Sequence, residues 1–133
     1  MPHLTLDYSG NLRETGDFET LCATLARTLV AIAVDGKPVY PVGGVRVRAL
    51  AADHWCIGDG RADAAFVHAR LFVGAGRGAS TLKATGDALF AAMKEHFAAL
   101  YAEQGLALSL EVGEFSEGGT WKHNNLHARM RGG

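Results

Sequence analysis

The stretch Ala64-Ala65-Phe66-Val67-His68-Ala69-Arg70-Leu71-Phe72-Val73-Gly74-Ala75-Gly76-Arg77-Gly78-Ala79-Ser80 decides the fold. Over its first part a period of two puts Ala65, Val67, Ala69, Leu71 and Val73 on one face and Phe66, His68, Arg70 and Phe72 on the other, because successive strand side chains point to opposite sides. Apolar groups on both faces predict a central strand covered on two sides. The run Gly74 to Ser80 ends the strand. Beyond it Leu82, Leu89, Phe90, Met93, Phe97, Leu100 and Tyr101 recur at helical spacing and predict one long helix. Gly105 is its stop signal. Leu106, Leu108, Leu110 and Val112 then alternate with Ala107, Ser109 and Glu111, which predicts a last strand before a polar turn at Ser116 to Thr120.

The same order appears upstream. Leu4, Leu6 and Tyr8 alternate with His3, Thr5 and Asp7 as a strand. Phe18, Leu21, Cys22, Leu25, Leu29 and Ile32 form a helical stripe with Asp17 as its N-cap. Gly36, Pro38, Pro41, Gly43 and Gly44 mark a connecting loop, and Val45 to Leu50 a short strand with Arg46 and Arg48 on one face. The chain thus predicts an α+β fold: a repeated β-α-β, joined near 51–61, with one mixed sheet, two helices packed on one face and a short C-terminal segment, Trp121 to Met130. With 133 residues, a single domain over 1–133 is expected. The second sheet face lacks an internal cover, so its apolar residues predict an oligomer.

A net charge of -1 with only paired arginines offers no attraction for a polyanion, which argues against a nucleic-acid partner. No apolar run approaches a bilayer span, so no membrane partner is expected either. Cys22 and Cys56 are too few for a disulfide framework and form no C-x-x-C pair. The opening residues, Met1 to Asp7, lack the basic and long apolar segments of a secretion signal. A reducing cytoplasm is the expected location.

Pro2 follows Met1, and a small second residue generally permits removal of the initiator. That would leave a secondary amine. An α-amino group titrates at roughly 7.7 to 8.0, and desolvation or nearby cations favour its free-base form. It is then suited to general-base work near neutral pH. Arg46, Arg48 and Arg77 are candidate carboxylate clamps, since guanidinium presents planar donor forks at any useful pH. Arg77 also stands at the start of a helix, where free amides attract anions. The run Gly74-Ala75-Gly76-Arg77-Gly78-Ala79 satisfies a loose dinucleotide pattern. No acidic residue follows on a strand end at the spacing of roughly twenty that ribose binding needs. His123 and His127 have a metal-compatible spacing if helical. The flanking glycines and paired asparagines instead predict an extended or turning segment. His68 reads as a core or interface histidine, and Cys22 as inert packing.

Met1-Pro2-His3, Gly44-Val45-Arg46-Val47-Arg48, Ala65-Phe66-Val67-His68, Gly74-Ala75-Gly76-Arg77 and Asn124-Asn125-Leu126-His127-Ala128 occur in this order over essentially the whole chain. Together they resemble the 5-carboxymethyl-2-hydroxymuconate isomerase family of the tautomerase superfamily. The resemblance implies a cofactor-free homotrimer acting on a small carboxylated enol in homoprotocatechuate degradation. It implies Pro2 as acid/base in a 1,3-allylic proton shift, with Arg46 and Arg77 holding carboxylates and stabilising the dienolate, and Arg48 as an addition on the same strand face. It places the Asn124-Asn125 segment against a neighbouring subunit. Val34 to Gly43 is longer and richer in Gly and Pro than the resemblance leads one to expect. A non-catalytic binding protein for a small acid, using the same pocket, is the alternative reading.

Overall fold

The computed structural model describes residues 1–131. In chain order it contains β1 (His3–Ser9), α1 (Phe18–Ala31), β2 (Ala33–Val34), β3 (Lys37–Pro38), β4 (Arg46–Ala52), β5 (Ala64–Gly74), α2 (Ala79–His96), α3 (Ala98–Glu103), β6 (Gly105–Phe115) and α4 (Leu126–Arg131). The main sheet has the order β4-β1-β5-β6. Its outer pairs, β1 with β4 and β5 with β6, are parallel, and the central pair, β1 with β5, is antiparallel. Each parallel pair is bridged by a helix, so the expected repeat is present. The stretch read as a loop contains a small hairpin, β2 with β3. It returns the chain to the sheet for β4.

The inward face of the sheet, Leu4, Leu6, Val67, Ala69 and Leu71, is fully buried beneath Leu21, Leu25 and Leu29 of α1 and Leu89 and Met93 of α2. Each buried Leu stabilises the fold by about 1.5–3 kcal/mol relative to exposure. Asp17 caps α1 by accepting from the Thr20 amide at 3.4 Å. Cys22 is half-buried on that helix, and burial pushes its thiol pKa up, as expected for an inert packing residue.

Two expectations need correction. The long helix is interrupted at Phe97, whose backbone leaves helical angles (φ -96°, ψ 9°) while its ring is fully buried. The Phe97 ring lies 5.8 Å from that of Phe18, and the apolar stripe continues across the break into α3. The C-terminal segment is helical from Leu126 rather than extended. Asn124 explains this, since its Oδ1 accepts from the Leu126 amide at 2.7 Å and Arg129 N–H donates to Asn125 O at 3.2 Å. Asn124 thus supports the start of the helix through its side chain, and Asn125 through its backbone carbonyl. The uncovered sheet face is mixed, as the strand alternation of the sequence requires. Leu50, Phe66 and Phe72 are interspersed there with His3, Asp7, Arg48, His68, Arg70 and Glu111. Arg70 Nε pairs with Glu111 at 2.8 Å, and His68 Nδ1 lies 2.6 Å from Ser109 Oγ.

The register places His3 opposite both Arg46 and Phe72. The starts of β1 and β4 therefore meet the ends of β5 and β6 at one end of the sheet. At the other end Arg13, just past β1, pairs with Asp53. It lies beside Gly10, where a Cβ would sit 2.7 Å from Arg13 Nη1. Gly74, at the end of β5, repeats this arrangement, because its Cβ would lie 3.3 Å from Arg77 Nη1.

Candidate active site

Pro2 is buried at the start of β1, and its carbonyl accepts from the Arg46 amide at 3.1 Å. That bond extends the β1–β4 ladder to the chain start. Met1 projects from it into a cavity of about 410 Å³ whose wall includes Arg77, Glu117, Lys122, Asn124 and His127. The cavity thus gathers Met1 and the segment from Glu117 to His127 at one end of the sheet.

Arg77 leaves β5 through the glycine-rich turn, where Gly76 and Gly78 adopt positive φ values of 104° and 89°. Such angles are open to glycine without strain. They let the Arg77 side chain fold back, so that Nη1 donates to Gly74 O at 2.8 Å while the guanidinium lies 5.1 Å from the centre of the Tyr40 ring. Arg46 is similarly pinned, with Nη1 donating to Gly43 O at 3.0 Å. Each guanidinium thus commits one of its five N–H donors to this anchor. Asn124 Nδ2 donates to the same Gly43 carbonyl at 3.3 Å. Gly43 is required there, since a Cβ would fall 2.6 Å from the His127 amide nitrogen.

Lys122 Nζ donates to Glu117 Oε2 at 3.0 Å. The Glu117 carboxylate fills the space left by the missing side chain of Gly74, and the hydrogen bond from Lys122 holds its carboxyl below the ordinary range. The terminal ammonium is pushed below its ordinary value of 8.0, first by desolvation, then by Lys122 and Arg77, against an opposing pull from Glu117. Arg46 adds a smaller push in the same direction. An amine in this place carries more free base at a given pH than an unburied α-amino group does, which is the direction a proton acceptor needs.

The residues singled out from sequence are distributed unevenly. Pro2, Arg46 and Arg77 converge at this end of the sheet. Arg46 and Arg48 share the uncovered strand face and neither lines the cavity wall, but Arg46 is near enough to act on the terminal amine, whereas Arg48 lies further along β4 with its Nη1 3.3 Å from His3 Nδ1. His127 lines the cavity, whereas His123 is exposed ahead of α4. Asn124 makes its contacts within its own chain, to Gly43 and to Met1 Sδ at 3.6 Å. Lys122, Glu117 and Tyr40 belong to the site without having been singled out. Larger apolar grooves along α2, α3 and β6, lined by Phe90, Leu106, Leu108 and Leu110, do not include the terminal amine or either arginine.

Known proteins of similar sequence and structure identify the family of the chain. The chain is 39% identical over 131 residues to the 5-carboxymethyl-2-hydroxymuconate Delta-isomerase of Escherichia coli, covering 98% of this chain and all of that one. It superposes with a TM-score of 0.89 on a 5-carboxymethyl-2-hydroxymuconate isomerase from Deinococcus radiodurans R1, at 48% identity, over 98% of this chain and 94% of the other. A more distant structure, native fused 4-OT, shares the tautomerase-like fold at 18% identity, with a TM-score of 0.62 over 97% and 98% of the two chains. A sequence model of the 5-carboxymethyl-2-hydroxymuconate isomerases matches residues 2–130. The chain therefore belongs to the 5-carboxymethyl-2-hydroxymuconate isomerase family.

Proposed function

We propose that the protein is a cofactor-independent isomerase acting on 5-carboxymethyl-2-hydroxymuconate or a similarly carboxylated dienol, with the Pro2 amine as acid/base. The observation that carries this reading is the seating of the chain's amino end in a cavity beside Arg77, Lys122 and Arg46. Removal of Met1 places the Pro2 nitrogen at the cavity floor and vacates the volume that Met1 fills. The free amine takes a proton from the dienol. The remaining negative charge spreads over the dienolate, where the fixed guanidinium groups of Arg46 and Arg77 stabilise it without reorganising. The same amine then returns a proton to carbon, leaving the conjugated ketone and regenerating the free base. One proton is lost and one gained, so the step needs no further reagent.

The mixed face with exposed Leu50 and half-exposed Phe72 supports assembly with further copies, and the family resemblance makes that assembly a homotrimer. The cytoplasm is the compartment that fits the free cysteines. No helix among the described residues is long and apolar enough to cross a membrane.

The test begins with intact mass, to establish loss of Met1, followed by ultraviolet assay of 5-carboxymethyl-2-hydroxymuconate. Substitution Pro2→Ala should lower kcat/KM by about 10²-fold or more, the usual scale of a lost general base. Tight binding of the dienol without turnover by the Met1-free protein would instead establish the small-acid binding reading.

A further inference from the structure

Lys122 differs from the two arginines in what holds it. Arg46 and Arg77 are tied to backbone carbonyls, which no ligand displaces, whereas Lys122 is bonded to a carboxylate, the group a substrate itself would offer. The pair is partly solvated, with side-chain exposures of 36% for Lys122 and 51% for Glu117. Ion pairs of that kind contribute little and exchange readily. Glu117 reaches Lys122 from the short turn after β6, and its carboxylate occupies the volume that the missing side chain at Gly74 leaves, beside Arg77. An internal anion thus rests between two cations in the wall of the cavity. The segment bearing Lys122 is fixed by Asn124, which joins the Gly43 carbonyl to the start of α4.

We infer that Lys122 is a carboxylate-binding residue of this cavity, occupied by Glu117 in the free protein and released to take an additional carboxylate of the substrate. The inference rests on the isomerase reading given above and deepens it by assigning a determinant of substrate class. Muconates carry two carboxylates, and a carboxymethyl group adds a third. Arg46 and Arg77 supply two clamps, and Lys122 supplies the next.

Two parallel measurements test this on protein lacking Met1. Turnover of 5-carboxymethyl-2-hydroxymuconate is compared with that of 2-hydroxymuconate for the native chain, Lys122→Gln, Lys122→Arg and Glu117→Gln. Binding of propane-1,2,3-tricarboxylate and of glutarate, neither of which can react, is followed by calorimetry on the same proteins. Loss of one charge-assisted hydrogen bond should raise KM for the tricarboxylated substrate about tenfold in Lys122→Gln and leave 2-hydroxymuconate within about threefold. Lys122→Arg should restore the discrimination. Removal of the competing anion in Glu117→Gln should lower that KM roughly twofold to fivefold. The pH midpoint of kcat/KM should also rise in Lys122→Gln, because the terminal amine loses a neighbouring cation. A residue that merely held the segment in place would affect both substrates alike. Equal losses on the two substrates, or tricarboxylate binding indifferent to Lys122, would overturn the inference. Tricarboxylate binding that depends on Lys122 in a protein without turnover would sustain it while sinking the isomerase reading.

Discussion

Tyr40 and Thr85 offer a quantitative check on how the platform under Arg77 is built. Both are fully buried, their hydroxyl oxygens are 2.9 Å apart, and Thr85 Oγ donates to Thr81 O at 2.8 Å. A hydroxyl has one hydrogen, so the Thr85 proton is committed to Thr81 and Tyr40 must donate to Thr85. The two deletions are therefore unequal. Tyr40→Phe leaves Thr85 still donating and removes only a bond it accepts, at a net cost of about 1 kcal/mol. Thr85→Val leaves a buried Tyr40 O–H without an acceptor and should cost about 2 kcal/mol, within the usual range for an orphaned donor. In the double variant that orphan is gone, so the combined loss should fall short of the sum of the singles by about 1 kcal/mol. Urea unfolding of the four proteins, at one protein concentration because assembly shifts the midpoint, measures this cycle. Tyr40→Phe keeps the ring beneath Arg77, so KM should stay unchanged. Equal costs for the singles, or strict additivity, would refute the assigned donor direction and the buried network with it.

Three further outcomes follow from the site. Gly43→Ala puts a methyl against the backbone of His127, so α4 and the segment bearing Lys122 should be displaced; kcat/KM should fall at least tenfold, a scale set by about 1.4 kcal/mol of lost binding, with far-ultraviolet circular dichroism nearly unchanged. Burial and the charges of Lys122 and Arg77 depress the terminal ammonium, and Pro2, one residue along, meets the same surroundings once Met1 is removed; kcat/KM should accordingly rise with pH through a midpoint below that of an unburied N-terminal proline as the amine loses its proton. His3 is held below 6.5 by desolvation and then by Arg48 and Arg46; folding disfavours its protonated form, so stability is retained above pH 6.5 and declines as pH falls toward the folded value, and proton NMR of the imidazole should give a midpoint below 6.5.

The strands and α1 were legible because their packing repeats in the sequence. Val67, Ala69 and Leu71 alternate because one side of β5 meets the helices, and Asp17 marks the start of α1 through its own side chain. The break at Phe97 was not legible, because Phe97, Leu100 and Tyr101 continue the same helical spacing while the backbone turns beneath them. Arg46 and Arg77 could be chosen for their chemistry and their places at element ends. Lys122 and Glu117 could not, since they lie among Gly118, Gly119 and Thr120 in a stretch without periodicity. What brings them to the cavity is the long-range meeting of Asn124 with Gly43. The asparagines were informative but open to opposite readings, because the side chain that ends a helix in one setting caps it in another.

The matching clusters at Gly10–Arg13 and Gly74–Arg77 show that the fold offers the same corner twice, once at each end of the sheet. At the Gly10–Arg13 corner the place corresponding to the start of β1 is the start of β5, where Asp63 runs into Ala64 through an ordinary peptide. A peptide nitrogen has no lone pair to lend, and Arg13 there is already neutralised by Asp53. A polypeptide possesses a single beginning, so of two such corners in one chain only one can adjoin a terminal amine, and the other, with its ion pair closed, is left as a brace.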